Sequence, residues 1–555
     1  MVQSIDEISD AFVRDLCAMV PSTAVLYGRP SDGTADDLSP AGLAAVADLT
    51  RGAVADAEAA PLAGDRERVA RDVLVERLRL RLDRYDAGDL HGDLNVIASP
   101  LQKQRRVFDL LPTSTDDDLA VLASRMNALP AVFAGYRASL LEGVERGRIA
   151  SVRQVDKCAE QCDTYAGRGG GMGFFSSLVA RLRREDALGR RLATAALVAD
   201  GAYADLADFL RAGIRHHAPR KDAVGRERYT LASREFLGAT IDLDETYAWG
   251  WDEFLGLEAE LHDVAGRIAP GLPPREVAEQ LDADPAHQVT GTPALLRWMQ
   301  ELSDRAVTEL GQTHFDIPEP LRRLECKIAP PGGVVGAYYM RPSDDLCRPG
   351  SMWWSVEPGR ERFATWREVT TVYHEGVPGH HLQIGTATYQ RGSLNDFQRL
   401  GAGTSGHAEG WALYAERLMR ELGYLDDDAE LLGMLDAQLF RAARVVIDIG
   451  MHLELEIPAG TGFHEGERWT PELGLEFLRT RTIADSAHSA DEIDRYLGWP
   501  GQAPAYKVGE RVWLAGREAA RARHGARFDP KAFHAAALRF GGMGLDPLTG
   551  LLATI

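Results

Sequence analysis

The sequence predicts a mainly α protein with a small antiparallel β-sheet placed just before a His-Glu helix, and three observations carry that reading. Helical periodicity dominates from residue 1 to about 320. From about 324 the texture changes to short β-branched or aromatic runs bounded by Pro and Gly. Helical texture then resumes at "TWREVTTVYHEG". A chain of 555 residues exceeds what one compact core usually serves, so two lobes are expected. Residues 1–320 form a mainly helical lobe in this reading, and 321–555 the lobe with the sheet and the candidate site, the two sharing one continuous fold.

In "RDVLVERLRLRLDRYDAGD", Leu74, Leu78, Leu82 and Tyr85 recur at helical spacing with Arg and Asp between them, and Gly88 ends the run. That is an amphipathic helix against a core. Similar stretches follow at "DDLAVLASRMNALPAVFAGYRASLLEGVERG" and "PREVAEQLDADP", with Pro and Gly as punctuation. "GRGGGMGFF" invites a phosphate-loop reading but lacks the GK[ST] ending and a preceding strand, so it reads as a flexible loop able to act as a lid. "LECKIAPP", "GGVVGAYYMRP" and "SMWWSVEP" supply the strands. "GHAEGWALYAERLMRELG" and "DAQLFRAARVVIDIGMHLELE" continue the later helices.

Composition narrows the function classes. With 45% apolar and 26% charged residues and no long uncharged apolar run, nothing is expected to span a membrane. The N-terminal "MVQSIDEISDAFVRDL" carries acids where a signal peptide carries Lys or Arg, so a cytoplasmic location is expected. Five cysteines, with Cys158 and Cys162 one helical turn apart, suggest buried or inert reduced thiols. A net charge of -21 argues against a nucleic-acid surface and leaves short peptides or other small molecules as partners.

The chemistry concentrates in "YHEGVPGHHLQ", residues 373 to 383. A hydrolytic zinc site needs three protein ligands, an open position and a carboxylate to take a proton from water. His-Glu-x-x-His supplies two ligands because residues four apart share a helix face. Here Pro378 occupies the fourth place after His374, and the next histidines are His380 and His381. On a straight helix His380 is turned roughly 120° away from His374, and His381 lies about 10.5 Å along the axis. Pro378 cannot donate to the His374 carbonyl, and Gly376 and Gly379 permit unusual backbone angles. A kink or unwound turn at 376 to 379 is therefore expected, returning one of the two histidines to His374. Glu409 sits in an apolar helical stretch where a carboxylate needs a partner, and a metal is the simplest. Glu416 reads as a surface residue or a partner behind the ligands, and His407 as an alternative ligand or such a partner. In "YLGWPGQAPAYKVGERVW", Tyr506 or Lys507 could donate to an oxyanion, with Gln502 nearby. Arg441, Arg444, Asp448 and His452 share one helix face, either as an ion-pair network or as a pocket wall where an arginine grips a substrate carboxylate.

"YHEGVPGHHLQ", "AEGWALYAERL" and "YLGWPGQAPAYKVGE" together resemble the three signatures of a bacterial family known as domain of unknown function 885, which is similar to the gluzincin metallopeptidases. The resemblance implies a bilobed zincin-like fold with a deep cleft, one zinc ion, and hydrolysis of short peptides. It implies His374 as first ligand, Glu375 as general base, Glu409 as third ligand and Tyr506 as the residue that steadies the transition state. It favours His380 as second ligand, through the Gly379-His380 pair, while helical phase keeps His381 in contention. The strand around "GGVVGAYYM" would match the edge strand that pairs with an extended substrate. Gln502 and Lys507, with Arg441 and Arg444, are the expected substrate contacts. The same residue types also suit a two-His-one-carboxylate redox iron site or a metal-stabilised binding scaffold without turnover.

Overall fold

A computed structural model describes residues 3–30, 32–329, 336–357, 359–483 and 486–555. The chain divides into two compact units, the first made of Met1–Pro61, Arg77–Val224 and Asp491–Trp499, the second of Leu62–Glu76, Gly225–Ala490 and Pro500–Ile555. Residues 225–320 thus belong to the same unit as the candidate site. The class is mainly α, as expected, with a few short strands. Among the described residues no helix is long and apolar enough to cross a membrane.

In the first unit the core lies among helices α1 (Asp116–Glu145), α2 (Val152–Ala166), α3 (Phe174–Leu182) and α4 (Ala187–Phe209). Thr115 starts α1 with a reciprocal cap: its hydroxyl accepts from the Asp118 amide and its own amide donates to the Asp118 carboxylate. The stretch read as helical in the sequence is one helix, and α1 runs through Pro130. An interior proline costs about 3 kcal/mol, and each large apolar side chain buried returns about 1.5–3 kcal/mol. The buried row Leu122, Met126, Leu129, Phe133, Tyr136 and Leu140 therefore outweighs the loss.

The glycine-rich stretch after α2 leads into α3, whose first amides are already taken. Asp200 of α4 accepts from the amides of Phe175 at 3.0 Å and Ser176 at 3.2 Å. That carboxylate fills the place a phosphate would occupy. Cys158 and Cys162 are fully buried on α2, and none of the five cysteines forms a disulfide. Burial pushes Cys162 up to about 12, so it stays a thiol and not a metal-binding thiolate.

In the second unit the relevant helices are α5 (Leu243–Ile268), α6 (Thr365–Glu375), α7 (His380–Tyr389), α8 (Ser405–Glu421), α9 (Asp428–Leu453) and α10 (Ala505–His524). Helix α9 is buried along most of its length and packs on α5 and α6. Helices α8 and α10 approach so closely that a Cβ on Gly410 would lie 2.3 Å from the backbone of Gly509. Trp411, Tyr414 and Trp513 fill the space around that contact, the two indoles 4.8 Å apart.

The strands are β1 (Gln288–Thr290), β2 (Leu324–Ile328), β3 (Ala337–Met340), β4 (Gly350–Trp354) and β5 (Arg362–Ala364). The antiparallel pair β1–β5, with Val289 opposite Phe363, leads straight into α6 at Thr365. The other three form a mixed sheet in the order β2-β4-β3. Strand β4 lies in the middle, antiparallel to β3 and parallel to β2. Of the "GGVVGAYYM" stretch, residues 332–335 lie outside the described residues and 337–340 form β3.

Candidate metal centre

Helix α6 stops at Glu375 and α7 starts at His380, so residues 376 to 379 leave the helix as the sequence predicts. The Val377–Pro378 peptide is cis. The Gly376 amide still donates to the Val372 carbonyl at 2.9 Å, and the Gly379 amide to that of Tyr373 at 3.0 Å. The turn packs tightly on the helix end: a Cβ on Gly379 would lie 1.9 Å from the His374 carbonyl oxygen. From α8, the Trp411 indole N–H donates to the carbonyls of Pro378 at 2.8 Å and Gly379 at 3.2 Å. His380 thereby meets His374 edge to face, ring centres 4.7 Å apart.

His381, the alternative second ligand, is corrected by the structure. Its Nε2 donates to the Leu321 carbonyl at 2.8 Å, and the Tyr339 hydroxyl lies 3.0 Å from its Nδ1. Both ring nitrogens are occupied, and burial pushes the imidazole down to about 4, so it is neutral. His381 fastens α7 to β3 instead.

His374, His380 and Glu409 each offer one ligand atom, all within 4.8 Å of one another. Glu409 Oε2 lies 3.3 Å from His374 Nε2 and 3.6 Å from His380 Nε2. Two donors about 2.0–2.1 Å from one tetrahedral ion stand about 3.4 Å apart. A direct charge-assisted hydrogen bond would be about 2.7–2.9 Å, so the observed spacing suits an ion better than a plain His–Glu pair. Glu409 keeps 23% of its side chain exposed, leaving one side of the cluster open.

Behind the cluster, Glu416 is fully buried with Oε1 2.7 Å from His374 Nδ1, and its Oε2 accepts from the Gln438 amide at 3.1 Å. This holds a proton on Nδ1 and points Nε2 toward Glu409. Of the two readings given for Glu416, the partner behind a ligand is the one observed. His407 is turned away: it meets Gln383, and burial alone pushes it down to about 4.

The electrostatics follow from burial against neighbouring charge. Burial opposes a charge on His374, but Glu409 and Glu416 outweigh it and raise the imidazole to about 10. Burial likewise opposes ionisation of Glu409, and His374 and His380 overcome it, holding that carboxyl well below its usual range. Glu375 is raised by burial, only partly countered by His380, His374 and Arg441. It is 6% exposed, and its Oε2 has no hydrogen-bond partner among the described residues. A metal ion bound through His374 Nε2 would have to displace the imidazole proton below a pH of about 10. Apparent zinc affinity is therefore expected to rise roughly tenfold per pH unit across neutral and mildly alkaline pH, with a proton released on binding. Competition titrations in buffers of different ionisation enthalpy measure both; a pH-independent affinity would contradict it.

The remaining predicted residues divide. Lys507 is corrected as a substrate contact: it is fully buried, with Nζ 2.7 Å from Glu253, 3.0 Å from Gln438 and paired with Glu510. Arg417 ties the same two glutamates, so the ammonium neutralises acids inside the helix packing. Gln502 is buried and donates to the Ser405 hydroxyl at 3.2 Å. Arg444 is buried, its guanidinium over the rings of Phe440 at 5.1 Å and Tyr506 at 4.7 Å. Tyr506 opens α10 half-buried beneath it. Further along the stripe, Asp448 accepts from the Tyr229 hydroxyl at 2.6 Å and the Gly501 amide at 2.9 Å, so that end is an internal network.

Fold and site together define a mainly α protein whose second unit holds a His-His-Glu cluster with a glutamate beside it. The chain belongs to the family described as "Bacterial protein of unknown function (DUF885)", matched over residues 21–552. Among solved structures it is similar to a Colwellia psychrerythraea chain described as a "putative lipoprotein", at 20% identity and TM-score 0.84, covering 100% of this chain and 99% of that one. A Shewanella oneidensis chain described as a "putative lipoprotein of unknown function" is 18% identical with TM-score 0.76, covering 99% of this chain and 100% of that one. No curated protein matches. At these identities the likeness is one of fold.

Proposed function

We propose that the chain is a zinc-dependent hydrolase of peptide bonds in short peptides, similar to the gluzincin metallopeptidases in its site. The observation that carries this reading is the convergence of His374, His380 and Glu409 within 4.8 Å, with Glu375 next to His374 in sequence and its Oε2 without a hydrogen-bond partner among the described residues. Zinc held there supplies Lewis acidity toward a carbonyl oxygen and acidifies water. Glu375, raised by burial, takes a proton from the attacking water and delivers it to the leaving amine nitrogen. Glu416 and Gln438 keep His374 in the tautomer that leaves Nε2 facing Glu409. Tyr506 is assigned the hydrogen bond to the developing oxyanion, as in the resemblance. A cytoplasmic setting accords with five cysteines that form no disulfide.

The test is metal analysis of protein purified without added metal, followed by assays on a panel of short peptides. Stoichiometric zinc, and cleavage that a chelator abolishes and added zinc restores, are the expected results. Stoichiometric iron with oxygen-dependent turnover would overturn the reading, as would a zinc-loaded chain that leaves every peptide intact.

A further inference from the structure

One cation beside the cluster has no counter-charge of its own among the described residues. Arg441 lies on α9 one turn beyond Gln438, which holds Glu416, which in turn holds His374. Its Nη1 donates to the Ala437 carbonyl of the same helix at 3.0 Å; its Nε is buried and donates to nothing, and it forms no ion pair with any described residue. Other arginines of this unit are paired: Arg417 with Glu253 and Glu510, Arg420 with Glu260, Arg481 with Glu258, Arg517 with Glu421. Arg444, one turn on, is spread over two aromatic rings.

Nearby carboxyls feel the Arg441 charge without pairing with it. It favours the charged form of Glu375, Glu416 and Asp436, though burial keeps Glu375 and Asp436 raised overall. Glu416 is engaged by His374 and Gln438, and Asp436 by Arg367 at 3.4 Å. Glu375 is the proposed base. A half-buried guanidinium without an anion is costly, and its planar fork matches a carboxylate through two parallel hydrogen bonds. In a chain of net charge -21, an anionic ligand is repelled unless such a cation meets it. The free C-terminal carboxylate is the one anion every unmodified short peptide carries.

We infer that Arg441, without an ion pair among the described residues and beside the His374–His380–Glu409 cluster, binds the free C-terminal carboxylate of a short peptide substrate. This rests on the peptidase reading and names its substrate class: peptides with a free C-terminus close to the bond that is cut.

The experiment measures binding apart from turnover. Calorimetry on the zinc-loaded full chain carrying Glu375→Gln compares N-acetyl-Ala-Ala-Ala with its C-terminal amide, before and after adding Arg441→Gln or Arg441→Lys; melting curves confirm that each variant is folded. The free acid is expected to bind roughly 10- to 100-fold more tightly than the amide. Arg441→Gln is expected to erase that preference and Arg441→Lys, which keeps the charge but not the fork, to retain part of it. Equal binding of acid and amide, binding of neither, or a preference that survives Arg441→Gln overturns the assignment. Failure of the peptidase reading shows differently: an Arg441-dependent preference for the acid in a chain with Glu375 intact that cleaves neither peptide leaves the carboxylate site standing and removes the hydrolysis. Cleavage of acid and amide with equal kcat/KM does the reverse.

Discussion

Glu375→Gln is expected to lower peptide turnover by about 10²- to 10⁴-fold, the range a positioned general base contributes. Zinc content should be unchanged, since none of the three converging ligand atoms belongs to Glu375. The substitution preserves shape and removes only the ability to take a proton. Two features make this carboxyl suited to that task. It is 6% exposed, and its Oε2 makes no hydrogen bond among the described residues, so its proton affinity is not spent on a structural partner. Burial raises it above an ordinary glutamate, with Glu409 adding to the rise and His380, His374 and Arg441 opposing it. Steady-state kinetics on a cleaved peptide, beside metal analysis of the same preparations, decide the matter. A variant that keeps zinc and full kcat would remove Glu375 from the reaction.

Much of this site was legible because its parts are local. The break between His374 and His380 follows from Pro378 and two glycines in a row of seven residues, and Glu409 stands out as a carboxylate in an apolar helix. The choice between His380 and His381 was not legible. It depends on Leu321 and Tyr339, which come from other elements and occupy both nitrogens of His381. Lys507 was misread for a similar reason. Glu510, one turn along the same helix, was within reach of the sequence, but Glu253 and Gln438 come from other helices and together with it enclose the ammonium, which nothing nearby announced. The same limit applies to the strands. Their composition marks them as strands, but β4 pairs with β2 in parallel because of where the chain returns, which periodicity does not encode.

Gly379→Ala is expected to cost both stability and zinc, because the contacts its Cβ would make are all backbone. The new methyl would stand 1.9 Å from the His374 carbonyl oxygen, 2.5 Å from its carbon and 2.5 Å from the Tyr373 carbonyl oxygen. No side-chain rotation relieves such contacts, so the turn itself must move. Movement there pulls against the Trp411 indole, which holds the Pro378 and Gly379 carbonyls, and displaces the residue immediately before His380. Overpacking inside a close-packed interior costs about 1–3 kcal/mol and more where backbone is involved, so a loss of about 3 kcal/mol is expected. A ligand displaced by as little as 1 Å no longer meets the about 2.1 Å bond zinc requires, so affinity should fall by about 100-fold or more. Gly392→Ala is the control. A Cβ at that exposed position meets nothing within 4 Å, and its effect should stay within about 0.5 kcal/mol. Denaturant melts and zinc titrations on the two variants separate the outcomes. If Gly379→Ala melts and binds zinc as Gly392→Ala does, the tight turn is not what brings His380 to His374.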